Sequence, residues 1–128
     1  MAIAGIGIDL VEVPRIRALL ERHGERFKQR TFTEAEAAYC DACADPAPHY
    51  AARFAAKEAA SKALGTGIAE GVAWRDIEVL RDASGRPDLR LHGAARALAD
   101  QLGVARCHLS LSHTKEHAAA QVVFESAG

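Results

Sequence analysis

Four titratable side chains stand among small residues and could carry chemistry: Asp9, Glu58, Lys62 and His113. Two carboxylates from separate elements, offering only oxygen ligands, suit Mg²⁺, which keeps several waters and shares the phosphates of a substrate. A lysine one turn from such a carboxylate suits a phosphate oxygen or a leaving group. Neighbouring glycines would let phosphates approach the backbone. These residue types therefore indicate a Mg²⁺–phosphate site with Asp9 and Glu58 as its metal ligands.

Each of these residues also has an ordinary interpretation. Glu58 and Lys62 are spaced i, i+4 in the favourable order, and an exposed pair of that kind adds about 0.2–0.5 kcal/mol to many helices. Asp9 could end a strand or cap the helix that follows it, and His113 could be a loop histidine. The residue types alone leave these interpretations open.

A helix over residues 53–64 must position Glu58 and Lys62. Alanine dominates this stretch, its interior has no proline or glycine, and Gly65 and Gly67 end it. At ~100° per residue, five side chains share one face: Phe54, Glu58, Ser61, Lys62 and Gly65. The alanines keep this helix thin, so we expect its neighbours to pack closely.

Asp9 lies near the end of a predicted strand over residues 3–11. Ile6, Ile8 and Leu10 point one way and Gly5, Gly7 and Asp9 the other, which predicts a half-buried strand with one face of bare backbone. Glycine inside a strand is costly unless something approaches closely. The stretch has no basic region before its first charge, so we expect a strand and not a signal peptide, and a cytoplasmic protein.

The other helices and strands are predicted from helix-capping residues, from glycines and prolines that end elements, and from alternating apolar residues. A helix begins near Pro14 and ends at Gly24, a capping box opens a short helix from Thr33 to about Cys43, and residues 45–48 read as a turn. After the central helix, the pattern predicts strands at 74–80 and 89–91 joined by a hairpin connection at 82–87, a helix at 93–102, and strands at 106–111 and 118–124 linked by 112–117. The pattern predicts an α+β fold, an antiparallel sheet of short strands packed with about four helices.

Length and composition predict one domain, residues 1–128, of ordinary globular character, with 49% hydrophobic and 26% charged residues. No apolar run approaches the ~20 residues of a membrane span, so we expect no membrane association. The net charge of −1 gives no general attraction to nucleic acid. Three cysteines, including the pair Cys40 and Cys43, are expected to stay reduced rather than to hold zinc.

The basic residues are unevenly placed along the chain. Residues 15–30 hold six basic side chains against two acidic ones, a local excess of +4. Arg15 and Arg22 fall on one helix face, and Arg26 continues the charge beyond that helix. A solvated face is one interpretation, and a docking face for an acidic partner is the other.

Two long motifs and three short ones resemble those of the holo-acyl-carrier-protein synthases, a small group within the 4′-phosphopantetheinyl transferases. The long motifs are residues 5–16 and 53–67, and the shorter ones are 76–79, 85–87 and 109–116. The likeness runs from about Gly5 to Phe124. It implies transfer of 4′-phosphopantetheine from coenzyme A to a serine of apo acyl carrier protein, with release of adenosine 3′,5′-bisphosphate. It also implies a homotrimer with active sites between subunits.

The resemblance implies roles for individual residues. Asp9 and Glu58 match the family's Mg²⁺ ligands, and Lys62 matches its lysine near the pyrophosphate. The other expected site residues fall into two groups: Arg53, Gly65, Gly85, Arg86, Pro87 and His113 along coenzyme A, and Arg15, Arg22 and Arg26 against the acidic helix of the carrier protein. A Mg²⁺-dependent phosphohydrolase of coenzyme A or a nucleotide, and a non-catalytic module that docks acidic partners, are the alternatives.

Overall fold

The computed structural model describes residues 1–68 and 71–127, and within them five strands, five α-helices and one turn of 3₁₀-helix. In chain order these are β1 (Ala2–Glu12), α1 (Val13–His23), α2 (Glu25–Thr31), α3 (Glu34–Asp41), α4 (Pro46–Leu64), the 3₁₀ turn (Trp74–Asp76), β2 (Ile77–Arg81), β3 (Pro87–Leu91), α5 (Gly93–Gln101), β4 (Val104–His113) and β5 (His117–Ser126).

The described strands form two antiparallel sheets, which confirms the predicted α+β class. One sheet has the order β1-β5-β4, and the other is the β2-β3 hairpin. Three of the strands extend beyond their predicted bounds, since β1, β4 and β5 are ten or eleven residues long. Several of the added residues are polar, among them Ser112, His113 and Ser126, and they pair through the backbone, which the alternation of side chains does not indicate.

The face of β1 that lies inside the protein is the glycine face. A Cβ built on Gly7 would lie 1.9 Å from the carbonyl oxygen of Ala59, and one built on Gly5 would lie 2.2 Å from that of Ala63. The backbone of α4 therefore occupies the space that side chains would need. These two glycines admit a helix, and not the phosphates that the sequence led us to expect beside them.

The opposite face of β1 is apolar and exposed. Ile3, Ile6, Ile8 and Leu10 are between 58% and 68% exposed. Of the two faces of this half-buried strand, only the glycine face is therefore covered within one chain. The exposed side chains form a continuous row at the edge of the three-stranded sheet.

Helix α4 is the central element, and it is longer than predicted. It begins at Pro46, so the predicted turn over residues 45–48 is wrong. Proline is tolerated there because the first N–H groups of a helix have no partner within the helix. From Ala51 to Leu64 only Glu58 and Lys62 escape burial. Alanine allows this helix to touch both the sheet and its neighbouring helices.

A second helix follows Gly24 where no helix was predicted. Gly24 has φ of 50° and separates α1 from α2. At seven residues, α2 is too short for its pattern to stand out. It places Arg26 and Arg30 on a helix instead of an irregular segment. No described helix has the length and apolar character needed to cross a membrane.

Candidate active site

Asp9 and Lys62 meet where β1 crosses α4. Asp9 lies on the glycine face of β1, in register with Ala120 of β5 and, beyond it, Leu111 of β4. The Lys62 Nζ donates to Asp9 Oδ1 and to the Ile8 carbonyl oxygen, each at 3.0 Å. Lys62 therefore bonds across the strand–helix interface, whereas the ordinary interpretation placed its ion pair with Glu58 on the helix surface.

Glu58 lies one turn before Lys62 on α4 and is partly buried. Burial raises the pKa of its carboxyl group above the usual value, and the nearby charge of Asp9 raises it further. Lys62 and Arg15 act in the opposite direction. The structure thus places Asp9, Glu58 and Lys62 close enough for their charges to affect one another. Arg15 also acts on Glu58.

The donor set at this point fits Mg²⁺. It consists of two carboxylates that repel each other, and the described residues hold no cluster of three or more His, Cys, Asp or Glu side chains arranged to bind a metal. Mg²⁺ is commonly held by one or two carboxylates together with waters and substrate phosphates, rather than by a cage made of protein. A divalent cation between Asp9 and Glu58 would remove their repulsion.

A cavity of about 430 Å³ opens beside the helix face that carries Glu58. Its floor is apolar, with the Phe54 ring stacked on Trp74 at 4.8 Å between centroids. Arg15 lies over the Phe54 ring at 5.6 Å, and Arg26 lines the rim. Sequence reasoning identified the arginines but missed Trp74, whose only sequence signal was its being the single tryptophan. Basic groups above an apolar floor suit an amphipathic acidic ligand.

Arg22, the third predicted docking residue, is exposed on α1 and is not among the residues that line this cavity. It occupies the last turn of the helix, with Gly24 following. The structure thus divides the basic patch into a cavity wall, with Arg15 and Arg26, and an outer surface, with Arg22.

The two residues expected to hold coenzyme A phosphates lie differently from each other. His113 ends β4 and is exposed, in register with Ala118 and, beyond it, Val11, on the face that carries Asp9. Arg53 is only 2% exposed. Its guanidinium stacks on the Tyr39 ring at 4.2 Å. Arg53 is thus part of a buried aromatic contact and not a surface cation.

The predicted nucleotide-binding loop residues lie apart from the Arg15 cavity. Gly65 takes the left-handed conformation, with φ of 86°, that ends α4 beside Lys62. Gly85 lies in the β2–β3 turn with φ of 87°. Arg86 and Pro87 line a second cavity of about 450 Å³, which shares no lining residue with the first.

Comparison with known proteins gives consistent results. The family model of the 4′-phosphopantetheinyl transferase superfamily matches residues 5–122. The holo-[acyl-carrier-protein] synthase of Koribacter versatilis is 52% identical over 96% of this chain and 98% of its own length. The solved structure of the synthase from Neisseria meningitidis has a TM-score of 0.87 at 38% identity, over 97% of this chain and 99% of that one. The structure from Bacillus anthracis, in complex with CoA (3′,5′-ADP), has a TM-score of 0.81 at 41% identity, over 99% of this chain and 100% of that one.

Proposed function

The chain belongs to the 4′-phosphopantetheinyl transferase superfamily, as an enzyme of the holo-[acyl-carrier-protein] synthase group, and we propose that its reaction depends on Mg²⁺ and releases adenosine 3′,5′-bisphosphate. The donor of 4′-phosphopantetheine is coenzyme A, and the acceptor is a serine hydroxyl of apo acyl carrier protein. Residues 1–128 act as one transferase domain in the cytoplasm.

The observation that carries this proposal is the meeting of Asp9, Glu58 and Lys62 at the crossing of β1 and α4. Lys62 contacts Asp9 at 3.0 Å, and the charge of Asp9 raises the pKa of Glu58. Two carboxylates and one ammonium therefore lie close together. Transfer of a phosphoryl group builds negative charge on the oxygens around phosphorus, and cations stabilise that charge. Mg²⁺ bound by Asp9 and Glu58 would supply Lewis acidity at the diphosphate.

Glu58 is the candidate general base. It accepts the proton of the serine hydroxyl, directly or through a water, while the serine oxygen forms a bond to the phosphorus next to pantetheine. A base with a raised pKa suits this step, because proton transfer is most efficient when the pKa lies near the working pH. The bond between that phosphorus and the bridging oxygen then breaks.

Lys62 acts on the leaving group. Its ammonium offsets the charge on the departing adenosine 3′,5′-bisphosphate or gives it a proton. His113 binds a phosphate of coenzyme A, and the buried Arg53 guanidinium adds positive charge behind it. Gly65 lies along the nucleotide beside Lys62, and so does the loop Gly85-Arg86-Pro87. Since Arg86 and Pro87 line a different cavity from Arg15, these loop residues serve the site of a neighbouring subunit.

The acidic carrier protein docks on Arg15, Arg22 and Arg26. The cavity beneath the first and last of these has an apolar floor, which suits the apolar side of an amphipathic helix. Charge steering by the rim would increase the rate of encounter and would weaken with salt. This surface adjoins Glu58, so a docked carrier brings its serine to the base.

A homotrimer explains the exposed row on β1. Ile3, Ile6, Ile8 and Leu10 would remain in water in a monomer, at a cost of roughly 25 cal/mol per Å² of apolar surface left uncovered. Assembly covers this row with other copies of the chain. It also brings the β2–β3 loop of one subunit to the carboxylates of the next.

The test is the intact mass of apo carrier protein after incubation with enzyme, coenzyme A and Mg²⁺. Transfer adds one phosphopantetheinyl group to the carrier and stops when EDTA removes the metal. Hydrolysis of coenzyme A without any carrier, with the carrier mass unchanged, would support a phosphohydrolase instead. Carrier binding that ignores EDTA and tolerates Asp9→Ala, with no mass gain, would support a non-catalytic docking module.

A further inference from the structure

His49 and two arginines surround the ring of Tyr39, and His113 lies against His49, where α3, α4, β2 and β4 meet. The guanidinium of Arg53 lies 4.2 Å from the ring centroid and that of Arg81 lies 4.8 Å from it. The His49 ring meets the Tyr39 ring edge-on at 6.0 Å and the His113 ring edge-on at 5.3 Å. Four groups that carry or can carry positive charge therefore meet at one place.

This cluster has more cationic groups than anionic partners. Asp45 is the carboxylate whose charge acts most on His49 among the described residues, and both of its oxygens accept hydrogen bonds from Arg17, at 2.9 and 3.0 Å. Arg53 donates one N–H to the His49 carbonyl oxygen at 3.3 Å. The buried Arg53 Nε donates to no described residue. A buried guanidinium with an unused N–H beside other cations indicates a missing anion.

We infer, on the basis of the proposed function, that His49 joins His113 in binding the 3′-phosphomonoester of coenzyme A, and that His49 takes up a proton as this group binds. A phosphomonoester carries close to two negative charges at neutral pH, since its second pKa is about 6. The diphosphate bridge of coenzyme A lacks such a terminal group. His49 is therefore a residue that selects coenzyme A over dephospho-coenzyme A.

The charges that face His49 explain why a proton accompanies the ligand. They come from Arg53 and Asp45 near the start of α4, from Arg81 on β2 and from His113 on β4. Burial lowers the pKa of His49 below its usual value, the three cationic neighbours lower it further, and Asp45 opposes them. A bound phosphate dianion would offset the repulsion between His49 and these cationic neighbours. It raises the pKa again, so His49 is neutral in the free enzyme and charged in the complex over the intervening pH range.

The affinity for coenzyme A should therefore depend on pH, and this dependence should arise from its 3′-phosphomonoester. Affinity for coenzyme A falls as the pH rises through this range, by up to about tenfold per pH unit for one linked proton. Affinity for dephospho-coenzyme A stays nearly constant, because it lacks the phosphomonoester.

Isothermal titration calorimetry in two buffers with different heats of protonation measures the protons bound with each ligand. At pH 7.5 the unmodified enzyme should take up protons when it binds coenzyme A. It should take up almost none when it binds dephospho-coenzyme A. His49→Phe keeps an aromatic ring against Tyr39 and His113 but cannot be protonated. It should bind coenzyme A without proton uptake and with a flat pH dependence of KM.

The control variant is His92→Gln, which keeps a hydrogen-bonding side chain for Glu78 on another part of the protein. It should take up protons as the unmodified enzyme does. Equal uptake by the unmodified enzyme and His49→Phe, or equal uptake with both ligands, would overturn the inference even if transfer proceeds normally. If coenzyme A neither binds nor donates its phosphopantetheine, the proposed function itself fails.

Discussion

Two lysine–carboxylate pairs on the same helix have opposite surroundings. Lys57 and Glu36 are both fully buried, and the Lys57 Nζ donates to Glu36 Oε1 at 2.7 Å, to the Trp74 carbonyl oxygen at 3.1 Å and to that of Ile77. Lys62 and Asp9 are joined at 3.0 Å, with the side chains 51% and 16% exposed. Five positions of α4 separate a lysine enclosed by protein from one open to ligands.

The partners of the two carboxylates explain the difference. Glu36 also accepts from the backbone N–H groups of Thr33 and Val79, at 2.9 and 2.8 Å, so it ties α3, α4 and β2 together. Asp9 has Lys62 as its cation and Glu58 as a repelling neighbour. An ion pair whose hydrogen-bonding groups all have protein partners fixes how the elements pack. A pair with unused hydrogen-bonding groups can still bind a metal and phosphate.

The largest effect on folding is expected from Lys57→Met. The change leaves the carboxylate of Glu36 buried without its cation, which should lower the free energy of unfolding by about 3–5 kcal/mol. Urea unfolding followed by circular dichroism measures this loss. A loss below that expected for an exposed pair would show that the buried pair does not anchor α4.

A smaller but still clear loss is expected from Gly7→Ala. The new methyl group would overlap the backbone of Ala59 on α4, where no flexible side chain can move aside. Overpacking of this kind costs about 1–3 kcal/mol, and here it also separates Asp9 from Glu58. The free energy of unfolding and the rate of phosphopantetheine transfer should both fall. Full activity in a stable variant would contradict the close packing of β1 on α4.

Lys62→Met repeats the first substitution at the open pair. Exposed pairs contribute about 0–1 kcal/mol, so the free energy of unfolding should change little. Transfer should fall by about 10²–10³-fold, the usual loss when a group that stabilises transition-state charge is removed. Single-turnover transfer gives the rate of the chemical step. Equal stability losses in Lys57→Met and Lys62→Met would remove the distinction between the pairs.

Glu58→Gln should have the smallest effect on folding. The raised pKa of Glu58 means that its ionised form is disfavoured in the folded protein, so a neutral side chain should leave stability at pH 7 unchanged or slightly higher. Transfer should fall by about 10²–10⁴-fold. In the unmodified enzyme, kcat should decline towards acid pH, since a protonated Glu58 can neither accept the serine proton nor bind the metal. An unchanged kcat towards acid pH would argue against Glu58 as the base.

The sequence predicted β1 almost to its ends and α4 from residue 53 to residue 64, but not how the two elements face each other. Alternation separated the isoleucine and glycine sides of β1 and left open which side is buried, although isoleucine is usually the buried residue type. The preference fails because α4 packs against the glycines through its own backbone. We propose that other copies of the chain cover the isoleucines, and periodicity within one chain cannot reveal such contacts.

The candidate site was predictable in part. Residue types and the family motifs identified Asp9, Glu58 and Lys62, although Asp9 and Lys62 are 53 positions apart and spacing alone could not join them. Arg53 shows the limit of this approach, because a guanidinium in a motif reads the same whether it is exposed or stacked beneath Tyr39. His49 carried no motif, and only the fold places its ring against His113.

The most direct test of the metal site is Mn²⁺ binding, followed by electron paramagnetic resonance with coenzyme A present. Mn²⁺ accepts the same oxygen ligands as Mg²⁺ and gives a signal that changes when it is bound. The unmodified enzyme and the folded control Lys62→Met should bind about one Mn²⁺ per active site, as expected for ligands supplied by two carboxylates and a substrate phosphate. Asp9→Asn and Glu58→Gln should each lose most of this binding. Undiminished Mn²⁺ binding in both variants would contradict a metal held between these two carboxylates.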